Sequence, residues 1–242
     1  MESNTEVRIF ETPKKVYKAI SKEIIKHAQK SNQPRFDIAL SGGNSPKGLF
    51  KKMSKKYADK IPWERIHLWW GDERCVSPHD EESNYKMTVD YLLSRINIPK
   101  ENIHRIRGEK NPDEEAVRYS EEIASNLNQR GNIPVFDLII LGMGNDGHTA
   151  SVFPNQMELL NDENICAVAQ HPTSGQKRIT LTGKVINNAN RIFFLTTGEG
   201  KATRISEIMN DNEKAKLLPA YHISPDNGRL IWFLDEAAAS KI

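Results

Sequence analysis

The sequence predicts an α/β protein: a mostly parallel sheet with helices on both faces. Three observations carry that prediction. Short apolar strands alternate with amphipathic helices along the whole chain, the order a parallel sheet requires because each parallel pair needs a crossover. The most apolar strand, residues 136–141, is a near-continuous hydrophobic run, as expected for a strand covered on two sides. Glycine-bearing loops follow the strands at 41–45, 71–74, 142–148 and 197–201. In a parallel sheet these loops emerge on one edge, where open α/β sheets bind ligands.

Residues 7–10 read as a strand, and Thr12-Pro13 opens a helix with proline at its first position. Val16, Ile20, Ile24 and Ala28 recur at helical spacing, while Lys14, Lys18, Lys22 and Lys26 form a solvated stripe. Residues 36–40 form a strand, and Ser45-Pro46 marks the next helix start, with Ser45 as N-cap. Leu49, Phe50, Met53 and Tyr57 are its apolar stripe. A strand at 66–70 ends in the loop Gly71-Asp72-Glu73-Arg74. Ser83 begins a helix with Tyr85, Val89, Leu92 and Ile96 inward. Asn111-Pro112-Asp113-Glu114 reads as a capping box opening a helix to about residue 130. Strands follow at 136–141, 165–169, 178–182 and 191–196, then a helix at 199–209, a strand at 230–234 and an alanine-rich terminal helix. There is no internal repeat or long linker, so residues 1–242 are expected to form one domain.

Composition narrows the function. The 34 basic and 32 acidic residues leave a net charge of +2, which argues against a nucleic-acid binder driven by bulk charge. A local basic pocket for a small anion remains open. Cys75 and Cys166 are the only cysteines, with no C-x-x-C or zinc spacing, which fits a reducing compartment. The opening Met1-Glu-Ser-Asn-Thr-Glu has no apolar signal core, and no run approaches the ~20 apolar residues of a membrane span. A cytoplasmic protein with no membrane partner is expected.

The loop Ser41-Gly42-Gly43-Asn44-Ser45 precedes a helix N-terminus, where free N–H groups and the helix dipole favour a phosphate. Its glycines let an anion approach the backbone; the plainer alternative is a tight strand-to-helix turn. Lys201, after Gly198-Glu199-Gly200, and Arg178 each read alone as surface cations. Together with the Ser-Gly-Gly loop they can neutralise a dianionic phosphate.

The segment Gly142-Met-Gly-Asn-Asp-Gly147 matches G-x-G-x-x-G, yet a dinucleotide site needs a long helix next and an acidic residue closing the next strand. Here Pro154 cuts that helix short, and Asp146 would repel a pyrophosphate. Seven histidines occur without H-x-x-x-H or H-E-x-x-H spacing, so no metal is expected. His148 reads either as a structural histidine or as a proton-transfer group. Asp146, two residues before it, can fix the imidazole tautomer. With no Gly-x-Ser-x-Gly elbow and no nearby cysteine, water is the expected nucleophile and His148 its general base.

Taken together, Ser41-Gly-Gly-Asn-Ser-Pro46, Gly71-Asp-Glu-Arg74, Ser83-Asn84, the segment from Gly142 to Pro154, Arg178-Ile-Thr-Leu-Thr182 and Gly200-Lys201 resemble the 6-phosphogluconolactonase family, in order along nearly the whole chain. The resemblance implies a three-layer α/β/α, Rossmann-like fold without cofactor. It implies hydrolysis of a phosphorylated sugar lactone in the oxidative pentose phosphate pathway, by a monomer or weak homo-oligomer. His148 would activate water with support from Asp146. Ser41, Gly42, Gly43, Asn44, Arg178 and Lys201 would hold the phosphate, and Arg74 would contact the sugar end. Asp72 would also bind substrate; it sits where the related glucosamine-6-phosphate deaminases carry a catalytic aspartate. Those deaminases also carry a glutamate five residues after the histidine, and here that position is Phe153. Deamination is therefore the disfavoured alternative. A non-catalytic sugar-phosphate sensor is the third, disfavoured by the intact Asp146 and His148.

Overall fold

The computed structural model describes residues 4–31 and 33–242; the opening Met1-Glu-Ser lies outside them. Seven parallel strands form the central sheet: β1 (Thr5–Phe10), β2 (Phe36–Leu40), β3 (Ile66–Trp70), β5 (Ile103–His104), β8 (Leu138–Leu141), β11 (Arg191–Thr196) and β12 (Arg229–Asp235). A small antiparallel sheet combines β4 (Asp72–Arg74), β9 (Cys166–Gln170) and β10 (Lys177–Leu181), and a hairpin pairs β6 (Gln129–Arg130) with β7 (Ile133–Pro134). The helices are α1 (Pro13–Lys30), α2 (Asn44–Lys56), α3 (Asn84–Tyr91), α4 (Pro112–Asn126), α5 (Gly183–Asn187) and α6 (Ala202–Met209).

The sheet order is β1-β12-β11-β8-β2-β3-β5. From β2 the chain moves outward through β3 and β5, then returns to place β8 on the other side of β2 and continues to β11 and β12. The strand order therefore reverses between β2 and β8, which is where open α/β sheets leave a crevice at their carboxyl ends. Every residue of β2 and β8 is buried, as sheets covered on both faces require. On α1, the helical stripe Val16, Ile20, Ile24 and Ala28 is fully buried, so the 3.6-residue period located its inner face correctly.

Several local expectations need correction. The second helix starts at Asn44 after Gly43 (φ 98°), so Ser45 is not the N-cap. Ser45 lies in the first turn, and its hydroxyl shares a 2.8 Å hydrogen bond with that of Thr197. Pro46 is tolerated there because first-turn N–H groups have no intrahelical acceptor. Ser83 does cap α3, its hydroxyl accepting from Lys86 N at 3.1 Å, but the helix stops at Tyr91. Asn111 caps α4 as expected, and that helix ends at Asn126 rather than near 130. Beyond it, Gly131 and Asn132 (φ 61° and 65°) make the left-handed pair that a tight hairpin turn demands. Residues 72–74 form a strand instead of a loop, and β9 and β10 run antiparallel outside the main sheet. The alanine-rich end forms turns: the Asp235 carboxylate accepts from Gly198 N and Ala238 N, both at 2.9 Å, and this local capture overrides helix propensity.

Candidate active site

The loops after β2, β8 and β11 and the β4 strand after β3 meet at the switch point around a cavity of about 420 Å³. Ser41, Gly42, Gly43, Asn44, Asp72, Arg74, His148, Arg178 and Lys201 all line it. Asp146 stands behind His148 and reaches the cavity through it.

The loop after β8 is shaped around one hydrogen-bonded pair. His148 Nδ1 lies 2.6 Å from Asp146 Oδ1, and the same oxygen accepts from His148 N at 3.2 Å. Burial pushes the Asp146 carboxyl up, but the His148 hydrogen bonds and charge outweigh it and hold the group at about 2. Bonding to Asp146 makes Nδ1 the donor, which leaves Nε2 as the basic nitrogen. Gly144 permits this arrangement: a Cβ there would lie 2.2 Å from His148 Nδ1. Gly147, at φ 85°, turns the chain between the two side chains.

The cations come from the small sheet and from the turn before α6. Antiparallel register places Arg178 directly opposite Arg74. Like charges in that position repel, so the pairing costs stability unless an anion sits between them. Burial, then Arg74, pushes the Arg178 guanidinium pKa down. The Nε atoms of both arginines are buried without a hydrogen-bond partner. Lys201 is half-buried, which lowers its pKa, while Asp146 pulls it back up. The free N–H groups opening α2 complete an electropositive cradle.

Three predicted ligands have side chains already engaged: Ser41, Asp72 and Arg74, whose Nη1 donates to the Glu82 carbonyl oxygen. Ser41 Oγ donates to Ile140 O at 2.8 Å, stitching β2 to β8 across the switch point. Asp72 is buried, and its Oδ2 accepts from Ser151 Oγ at 2.8 Å. Three residues were not assigned from sequence. Asn84 lines the cavity, donates Nδ2 to Asp72 O at 2.9 Å, and packs so close to Gly42 that a Cβ there would lie 1.8 Å from Asn84 Oδ1. Glu73 accepts from Arg74 N, Asn84 N, Tyr85 N and Ser83 Oγ at 2.7–3.1 Å. Thr196, buried at the end of β11, lines the cavity with an unpartnered hydroxyl. The Ser83-Asn84 dipeptide was the one sequence signal available for Asn84.

Fold and site together define a switch-point α/β protein with a cationic pocket and an Asp-supported histidine. The family profile "Glucosamine-6-phosphate isomerases/6-phosphogluconolactonase" matches residues 11–232, and the chain belongs to that family. It is 46% identical to the 6-phosphogluconolactonase of Aggregatibacter actinomycetemcomitans over 231 residues, covering 95% of this chain and 97% of that one. The crystal structure of devB protein superposes with a TM-score of 0.94 at 44% identity, covering 98% and 99% of the two chains. The 6-phosphogluconolactonase of Thermotoga maritima superposes at 0.82 with 29% identity, covering 96% and 99%. Among the described residues, no helix is long and apolar enough to cross a membrane, and no three His, Cys, Asp or Glu side chains group to hold a metal.

Proposed function

We propose that this protein hydrolyses 6-phospho-D-glucono-1,5-lactone to 6-phospho-D-gluconate, with His148 as general base. The observation that carries the catalytic assignment is the 2.6 Å contact between His148 Nδ1 and Asp146 Oδ1 beside a cationic cavity. The substrate phosphate docks on the Ser41–Asn44 backbone, Arg178 and Lys201, and Arg74 faces the sugar. His148 Nε2 takes a proton from water as the water oxygen attacks the lactone carbonyl carbon. The resulting oxyanion collapses, the ring C–O bond breaks, and the imidazolium returns its proton to the departing ring oxygen. The cavity, at about 420 Å³, suits a ligand of this size.

The deaminase alternative lacks a proton carrier at Phe153, which is fully buried and apolar. A single domain, a cytoplasmic location and a monomeric or weakly associating state belong to the same reading.

The test is hydrolysis of freshly generated lactone, measured over its spontaneous opening by coupled 6-phosphogluconate oxidation. Wild type is expected to exceed background, and His148→Ala to lose ~10²–10⁴-fold in kcat. A wild-type rate equal to background rejects the hydrolase reading, and an unchanged mutant rejects the base.

A further inference from the structure

Past His148 the chain continues to Phe153, whose ring is fully buried. Three side chains of the site and its rim meet this ring. The His148 imidazole lies 4.9 Å away, tilted by 52°. The Arg178 guanidinium carbon is 5.6 Å from the ring centroid. His171 approaches edge-on at 5.3 Å, fixed in place as its Nδ1 accepts from Thr173 N and Ser174 N at 3.3 and 3.2 Å.

Arg178 needs something to hold it. It is buried opposite Arg74, its Nε is unpartnered, and among the described residues no carboxylate stands within ion-pair distance of it. A carboxylate at position 153 would relieve that stress, but it would also neutralise the charge an anionic substrate requires. An aromatic ring acts differently. Its quadrupole attracts the cation while consuming no N–H donor and cancelling no formal charge. The same ring buttresses the imidazole, so the base and the anion-binding group share one support.

We propose that Phe153 is a positioning residue: its ring holds Arg178 in place without a direct ion pair and fixes His148 in register with it. Asp72, Glu82 and Glu73 act on the cation only from a distance. The proposal rests on the hydrolase reading, in which both groups serve one phosphorylated ligand.

Graded fluorination of the ring tests it without changing the shape of the core. Phenylalanine, 4-fluoro- and 3,4,5-trifluorophenylalanine are placed at position 153, in wild-type and Arg178→Ala backgrounds. Dissociation constants for 6-phosphogluconate are measured by calorimetry, lactone kcat and KM by coupled assay, and Tm for each variant. Withdrawing charge from the ring face is expected to raise Kd stepwise, by about 2–5-fold over the series, with Tm nearly constant. In the Arg178→Ala background the series is expected to be flat. A flat series in wild type, or equal slopes in both backgrounds, overturns the proposal, because packing alone ignores ring charge. If wild type binds 6-phosphogluconate but does not hydrolyse the lactone, the hydrolase reading falls while the slopes still decide the role of Phe153. If wild type neither binds it nor hydrolyses the lactone, both fall; if it hydrolyses the lactone but binds the product too weakly to measure, the same series is read in kcat/KM, where a flat series overturns the role of Phe153.

Discussion

Gly144 is the residue on which the geometry of the base most directly depends. A methyl group there would lie 2.2 Å from His148 Nδ1 and 2.4 Å from Asp146 Oδ1. Gly144 N also donates to His148 O at 2.9 Å, so the backbone cannot easily retreat. Gly144→Ala is therefore expected to lower kcat by ~10²-fold with KM near wild type, because misaligning the reacting group leaves the phosphate contacts intact. Steady-state kinetics separate the two parameters. Asp146 gives a pH prediction. Its folded pKa of about 2 lies below the ordinary carboxylate value of about 4, so its stabilising contribution is complete above pH ~4 and lost as pH falls toward 2. The side chain is 44% exposed, and solvent screening holds that contribution to about 1 kcal/mol or less. Melting curves across this window should show a steeper acid fall for wild type than for Asp146→Asn.

At the scale of elements, Glu73 is the joint between β4 and α3. Its carboxylate takes the first N–H groups of α3 together with Arg74 N and the Ser83 hydroxyl. Burial pushes its pKa up, and the backbone N–H bonds oppose that shift. Glu73→Gln keeps the volume but turns one acceptor oxygen into a donor aimed at donors. We expect a loss of ~1–3 kcal/mol, read in denaturant unfolding, and a rise in KM, because Asp72, Arg74 and Asn84 sit on the two elements it joins. A KM unchanged at full occupancy of the fold would separate the joint from the site. Little of this was legible in sequence. Ser83 announced its helix by type and position, yet Glu73 looked like one more loop acid. Its role arises from a contact across 10–12 residues that brings two elements together.

At the scale of the whole molecule, a chain of net charge +2 concentrates Arg74, Arg178 and Lys201 around one cavity. Only the local field matters for a dianionic substrate, and salt screens it over about 10 Å at 0.1 M. Raising ionic strength to about 0.5 M is expected to raise KM several-fold with little change in kcat. A KM indifferent to salt would mean that these cations do not hold the phosphate.

What the sequence by itself determined was local. Helix and strand periods, the Ser-Gly-Gly turn into α2, and the Asp146–His148 pair two residues apart all depend on near neighbours, and side-chain chemistry at short range is set by spacing. Where composition suggested a helix at the alanine-rich end, a buried Asp235 decided otherwise, because tertiary hydrogen bonds outweigh propensity. Only the tertiary structure decided that Arg178 faces Arg74 across β10 and β4, that Ser41 spends its hydroxyl on β8, and that Phe153 touches base and cation together. These contacts follow from sheet register and strand order, which couple residues as many as 225 positions apart through the packing of a common core, and spacing along the chain carries no record of them.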